Sequence, residues 1–331
     1  MRTIAITIIV TIVLLSLLEV GARVYISVTR GSHTAGMQER TWFLSYEPFV
    51  MFGPNWDRDL LLTHSTAQPG VCRVLLVGGS TAQLFPITVL EQSLERIFPQ
   101  KKVEVVNASM GGYVGRQEVV VAALWGPALT PNVIVSLDGA NDLTHRLRMH
   151  EAGTFFLNEA YKLYLTKPFL APPAFLLSQS QFYNGLMRYR ERSHVKPLEE
   201  YMDAVAVYLD AQHSLNVLSK GMQAQRLMVL QPHSAFKVPL SPTEARFDWY
   251  KYREMVVKEL YDRTHNRLIS LSKSDQVGYL DSRFLYAGVT ETIFTDDVHL
   301  TDLGYSRLAD AIASELVKGN RKDESCSRLV R

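Results

Sequence analysis

From Val71 onward, short β-branched runs alternate with stretches of helical apolar periodicity, and this alternation most narrows the folds open to the chain. VCRVLLVGG at 71–79 is followed by ITVLEQSLERIF at 87–98, where Ile87, Leu90, Leu94 and Ile97 share one helical face. KVEVVNAS at 102–109 leads to a predicted helix from about Gly115 to Trp125. NVIVSLDG at 132–139 is an unbroken Val and Ile run, suited to a strand covered on both faces. A helical stretch from Pro197 to about Gly221 precedes RLMVLQP at 226–232, and another over about Glu244 to Ser272 precedes VGYLD at 277–281. The last helix is expected from about Asp302 to Lys318, with Leu308, Ile312 and Leu316 on one face. Five strands separated by helices require crossover connections. The expected fold is therefore α/β, a three-layer α/β/α domain on a five-stranded parallel sheet, with its site at the carboxyl ends of the strands.

The rest of the 331 residues divides around this unit, predicted to span 71–318. Thr3 to Leu18 carries no charge, and as a helix it would cover about 1.5 Å of bilayer per residue. Val20, Gly21 and Ala22 extend the run if Glu19 sits at the interface, with Arg2 and Arg23 as snorkelling flanks, so residues 1–30 are expected to form an N-terminal transmembrane helix. A cleaved signal peptide would want small residues in an A-x-A arrangement after the run, and these are missing. Residues 31–70, with Gly31, Gly36, Pro48, Gly53, Pro54 and Pro69, suggest a connector. Residues 143–196 interrupt the βα order with an aromatic and proline-rich insertion, either a lid or a substrate- or membrane-facing surface, or a helical hairpin that enlarges the core. A solvated tail is expected over 319–331.

A composition of 47% hydrophobic and 21% charged residues excludes general disorder, and a net charge of +2 provides no basic field for nucleic acid. Cys72 and Cys326 are too few for a disulfide framework or a cysteine metal site, and two free thiols are expected.

Four elements at strand ends carry chemistry-bearing residues. The first strand ends in V-G-G-S-T, placing Ser80 at a tight turn; neither a G-x-G-x-x-G fingerprint nor a G-K-[ST] phosphate loop follows. The second ends in N-A-S-M-G-G-Y, where Gly111 and Gly112 permit close backbone approach to a bound group. The third ends in D-G-A-N-D, with Asn141 as a neutral amide donor. Near the C-terminus, F-T-D-D-V-H-L puts Asp296 three residues before His299, close enough in a turn for a carboxylate to orient an imidazole. Thr301 and Asp302 then form an N-cap and first helical turn. Asp297, two residues from His299, is expected to face solvent or a local amide. A metal reading of Asp296, Asp297 and His299 lacks a second ligand cluster. Ser109 in N-A-S-M-G is a rival nucleophile by likeness to the G-x-S-x-G elbow, but Asn107 would crowd the sharp turn.

Taken in order, these blocks over about 72–305 resemble the SGNH (GDSL-type) hydrolase family, with one departure: the family's G-D-S block reads Gly78-Gly79-Ser80. The resemblance implies a flavodoxin-like three-layer fold, Ser80 as nucleophile, His299 as base and Asp296 as its orienting carboxylate. It also implies an oxyanion hole from the Ser80 amide, Gly112 and Asn141, with no metal or other cofactor. The implied activity is hydrolysis of acyl esters, O-acetyl on a glycan or envelope-related substrate above all, by a membrane-anchored enzyme outside the cytoplasm. Transfer of the acyl group to a sugar hydroxyl, or a degenerate glycan-binding or assembly module, are the alternatives.

Overall fold

The computed structural model describes residues 2–30, 45–47, 49–53, 70–99, 102–147, 152–154, 158–170, 180, 182, 183, 186, 197–247 and 254–319. In chain order the described helices are α1 (Arg2–Arg30), α2 (Ser80–Gln83), α3 (Ile87–Ile97), α4 (Gly115–Leu129), α5 (Ala140–His145), α6 (Asn158–Thr166), α7 (Met202–Gly221), α8 (Glu254–Asp275) and α9 (Asp302–Gly319). The strands are β1 (Ser45–Glu47), β2 (Met51–Gly53), β3 (Val71–Gly78), β4 (Lys102–Asn107), β5 (Val133–Asp138), β6 (Gln225–Leu230) and β7 (Gly278–Asp281). The chain forms two compact units, Met1–Phe43 with Leu157–Lys196 and Leu44–Phe156 with Pro197–Arg331.

In the larger unit, β3 to β7 form the expected five-stranded sheet, in the order β4-β3-β5-β6-β7, with every pairing parallel. Side-chain alternation along β3 builds two cores. Val74 and Leu76 pack with Leu90 and Leu94 of α3 and Leu308 and Ile312 of α9, while Leu75 and Val77 pack with Val121 and Leu129 of α4. A further cluster joins Met228 and Leu230 of β6 to Tyr208 of α7 and Leu260 and Leu268 of α8. Helices α3 and α9 on one face, the sheet, and α4, α7 and α8 on the other make the three layers. Because β4 and β5 lie on opposite sides of β3, the chain leaves the centre of the sheet in both directions. The carboxyl ends of β3, β4 and β5 thereby meet at a topological switch point.

Several boundaries move. The larger unit begins at Leu44 rather than Val71: β1 and β2 pair antiparallel, Val50 between them is buried in the core, and Gln117 Nε2 donates to its carbonyl at 2.9 Å. Apart from Gly70, the rest of the predicted connector lies outside the described residues. Helix α4 continues four residues past Trp125, through Pro127, to Leu129. The helix expected from Glu244 begins instead at Glu254, because Glu244–Arg246 is a 3-10 turn whose Glu244 side chain is committed to Lys237. The predicted free thiols are corrected as well. Cys72 is disulfide-bonded, and the one other cysteine of the sequence, Cys326, lies in the tail beyond Gly319, outside the described residues.

The smaller unit holds α1 and α6. Ile9, Ile12, Leu14, Leu17 and Val20 of α1 are exposed. Glu19 accepts from Arg23 Nε at 2.8 Å through Oε1, and from Ser180 Oγ at 2.8 Å and the Phe182 N–H at 3.1 Å through Oε2. Among the described residues no helix is long and apolar enough to cross a membrane. The run read as an anchor lies within α1, where the side chains of residues 1–5, 8 and 26–30 fall outside the described residues. The predicted insertion 143–196 is split between the units: residues 143–156 stay with the sheet, and Leu157–Lys196 group with α1.

Candidate active site

Ser80 stands two residues past the carboxyl end of β3 and opens the single-turn helix α2. The turn is built on Gly78 and Gly79. A Cβ at Gly78 would lie 2.3 Å from the Leu137 carbonyl oxygen, so the close approach of β3 to β5 leaves no room for a side chain there. Ser80 Oγ lies 2.7 Å from His299 Nε2, and His299 Nδ1 lies 2.6 Å from Asp296 Oδ2. A carboxylate can only accept, so Nδ1 carries the proton toward Asp296 and Nε2 is left as the acceptor for the serine hydroxyl. Residues up to 219 positions apart in the sequence are thus brought into one hydrogen-bonded line.

The loop from Ile293 to Thr301 holds the two downstream members. Thr295 N–H donates to the His299 carbonyl at 2.9 Å, Thr301 N–H to the Ile293 carbonyl at 2.7 Å, and Phe294 bridges Leu300. Asp296 Oδ1 accepts from the backbone N–H groups of Val298 and His299 at 2.9 and 2.8 Å. Burial pushes the Asp296 carboxyl up, but the His299 ring and these two amides more than offset it and hold the group below its ordinary value. Thr301 Oγ1 accepts from the Gly304 N–H at 3.3 Å, the N-cap of α9 expected from the sequence.

The remaining predicted residues converge on the same edge. Asn141 Nδ2 donates to the Tyr113 carbonyl at 2.8 Å, which ties the turn after β5 to Gly112 and Tyr113 after β4. The same nitrogen would lie 2.4 Å from a Cβ on Gly79. Asn141 is therefore wedged between the residue before Ser80 and the residue after Gly112. Gly112 takes a φ of +79°, a conformation for which glycine is suited.

Two sequence expectations resolve differently from each other. Ser109 is buried, and its hydroxyl donates to the Leu76 carbonyl at 3.3 Å rather than to an imidazole. Asp297 does not face solvent: it is buried, its Oδ1 accepts from Ser234 Oγ at 3.2 Å, and its carbonyl accepts from the Ser234 N–H at 2.9 Å. The loop after β6 was needed to occupy this side chain, and nothing in the local spacing of F-T-D-D-V-H-L signals it.

Other supporting residues carry no motif. Thr81 Oγ1 donates to the Val298 carbonyl at 3.1 Å and accepts from Gln231 Nε2 at 2.6 Å, linking the nucleophile turn to the His299 loop. Gln83 Oε1 accepts from the Gly111 N–H at 2.9 Å and so braces the Gly112 loop from α2; its place three residues after Ser80 is the available sequence signal. His233 is buried, and desolvation pushes its imidazole down to about 4, so that it is neutral. Beneath the turn after β5, Asp138 accepts from Tyr208 Oη at 2.6 Å and from Gln212 Nε2 at 2.7 Å. Arg226 Nη2 donates to Ser136 Oγ and Gln212 Oε1, both at 2.8 Å. Among the described residues no group of three His, Cys, Asp or Glu side chains is placed to hold a metal ion.

No family model and no curated protein matches the chain. Similar solved structures include an acetyl xylan esterase at 14% identity, covering 73% of this chain and 98% of that one with a TM-score of 0.43. A GDSL-like lipase from Bacteroides thetaiotaomicron is 13% identical, covering 80% of this chain and 98% of its own with a TM-score of 0.45. An acetyl-xylooligosaccharide esterase from Geobacillus is 14% identical, covering 74% and 93% with a TM-score of 0.44.

Proposed function

We propose that the chain is a serine esterase that hydrolyses acyl esters through an acyl-enzyme. The hydrogen-bonded line from Ser80 Oγ through His299 to Asp296 carries this reading. Ser80 Oγ attacks the ester carbonyl carbon as its proton passes to His299 Nε2, and Asp296 stabilises the imidazolium that results. The carbonyl oxygen becomes an oxyanion facing the Ser80 and Gly112 N–H groups and the second N–H of the Asn141 amide, whose first is held by Tyr113. Collapse expels the alcohol, which takes the proton from Nε2. Water then enters, His299 accepts its proton, and the carboxylic acid leaves as Ser80 recovers its own.

The substrate class we propose is an O-acetyl or related acyl ester on a glycan or envelope component, with the catalytic unit held outside the cytoplasm by α1. The apolar, outward-facing side chains of α1 support the anchor, and the disulfide at Cys72 supports an oxidising compartment. Labelling of the full chain with a fluorophosphonate, followed by peptide mapping, tests the chemistry. Modification at Ser80, lost in Ser80→Ala, is expected; labelling at another serine or none would reject it. Alkaline extraction of membranes tests the anchor, since an integral α1 keeps the chain in the pellet. Release of intact protein into the supernatant would remove the anchor and leave the chemistry untouched.

A further inference from the structure

The loop bearing Asp296 and His299 is closed on itself, yet its first two amides are spent outside it. The N–H groups of Ile293 and Phe294 donate at 2.8 and 2.9 Å to a single atom, Glu244 Oε1. The other oxygen, Oε2, accepts from Lys237 Nζ at 2.6 Å and from the Ser241 N–H at 2.8 Å. Ser241 Oγ in turn meets Thr292 Oγ1 at 2.9 Å, and Lys237 Nζ also donates to the Pro239 carbonyl at 2.9 Å. The side chains of Lys237 and Glu244 are 1% and 0% exposed.

A buried ion pair of this kind is weak grounds for stability, because apolar residues of similar volume are often neutral or stabilising in its place. Its geometry has a more specific consequence. Thr81 and Ser234 hold the tip of the loop through the Val298 and Asp297 carbonyls, whereas Glu244 takes the two amides at its base. Building on the serine-esterase reading, we propose that Glu244 is a positioning residue that sets the reach of His299 Nε2 to Ser80 Oγ. Burial pushes the Glu244 carboxyl up, but Lys237 and the amides of Ser241, Phe294 and Ile293 more than offset this, so it is ionised and accepts at both oxygens. A displacement of about 1 Å at the base of such a loop is enough to cost about 10²-fold in rate.

Two charge-free double variants of the full chain separate positioning from packing. K237M/E244L removes the acceptor for Ile293 and Phe294, while K237M/E244Q keeps an oxygen in its place. K237M/E244Q is expected to melt near the parent, and K237M/E244L lower, because it leaves the buried N–H groups of Ser241, Ile293 and Phe294 without an acceptor. Fluorophosphonate labelling of Ser80 and kcat for p-nitrophenyl acetate should fall about 10–100-fold in K237M/E244L, with KM little changed, and recover to within about threefold of the parent in K237M/E244Q. A folded K237M/E244L with parental labelling rate and kcat would overturn the proposal, as would equal losses in both variants. If K237M/E244L does not fold, E244D replaces it: drawing the carboxylate back by one methylene should lower labelling at least fivefold, and an unchanged rate would overturn the proposal. A parent chain that is not labelled at Ser80 rejects the esterase reading and this inference with it. A labelled parent with an indifferent K237M/E244L rejects the inference alone.

Discussion

Asp296 grips His299 twice, with Oδ2 on the ring at Nδ1 and Oδ1 on the same residue's backbone N–H. One carboxylate therefore fixes both the rotation of the imidazole and the position of the chain that carries it. Asp296→Asn places an amide against Nδ1 and favours the tautomer that presents N–H rather than a lone pair to Ser80. Turnover is expected to fall on the order of 10⁴-fold, as when the orienting carboxylate of other serine triads is neutralised. Asp297→Asn retains an acceptor for Ser234 Oγ and should stay within about threefold of the parent. Steady-state kinetics on the two purified variants, matched for melting temperature, check the ranking. The reverse order would move the orienting role to Asp297.

The Asn141 amide has one N–H fixed on the Tyr113 carbonyl and its nitrogen close against Gly79. Its contribution should therefore appear when oxyanion charge develops. Asn141→Ala is expected to lower kcat about 10²–10³-fold with KM and melting temperature near those of the parent. If kcat is retained, Asn141 does not serve the oxyanion.

Gly79 adopts φ −82° and ψ −155°, a backbone conformation open to any residue, so alanine there meets a purely spatial objection. Its Cβ would lie 2.4 Å from Asn141 Nδ2 and 3.4 Å from the Tyr113 carbonyl oxygen. Gly79→Ala should push the amide off Tyr113 and reproduce most of the kcat loss of Asn141→Ala. The double variant should lose little more than either single one. Additive losses in the double variant would show that the two residues act separately.

That coupling also marks how far the sequence alone reaches. The alternation of apolar runs discloses β3 to β7 because a doubly covered parallel strand is mostly apolar; Val133–Asp138 is buried at every position, with its two polar residues, Ser136 and Asp138, hydrogen-bonded inside. Ser80, Gly112, Asn141 and Asp296–His299 are legible because each stands beside a strand end or helix cap with local signatures. Gly79 reads as a plain departure from a familiar block until the structure shows Asn141 filling the space. Thr81 and Gln231 leave no local trace, and Glu244 shows only its nearby Lys237 and Ser241, since the partners that tie all three to the site lie tens to more than a hundred residues away. The sequence alone also extends a helix over Glu244, where contacts with Lys237, seven residues back, and with the more distant Ile293 and Phe294 accompany a 3-10 turn.

A final prediction concerns the carboxyls behind the oxyanion turn. Asp142 is buried with Oδ1 accepting the Gly115 N–H at 3.0 Å. Desolvation, followed by the repulsion of Asp138, pushes its carboxyl from the ordinary 3.8 up to about 7, against the opposing pull of the Gly115 amide. Glu118 beside it is pushed well up for the same two reasons. In the unfolded chain these groups lose their protons near pH 4, while the folded protein retains the Asp142 proton until about pH 7. Between those values the folded state binds more protons, so this contribution to stability is complete below about pH 4 and is lost as pH rises through about 7. The buried charge formed on the alkaline side should lower stability by a few kcal/mol, or roughly 2–4 °C in Tm for each kcal/mol. Asp142→Asn keeps an oxygen for the Gly115 N–H but cannot ionise. Its Tm should therefore decline less than that of the parent between pH 5 and pH 8, with Glu118 supplying the slope that remains. Parallel Tm curves for the two proteins across that interval would show that Asp142 ionises at the same pH folded and unfolded, and would remove it as the source of the slope.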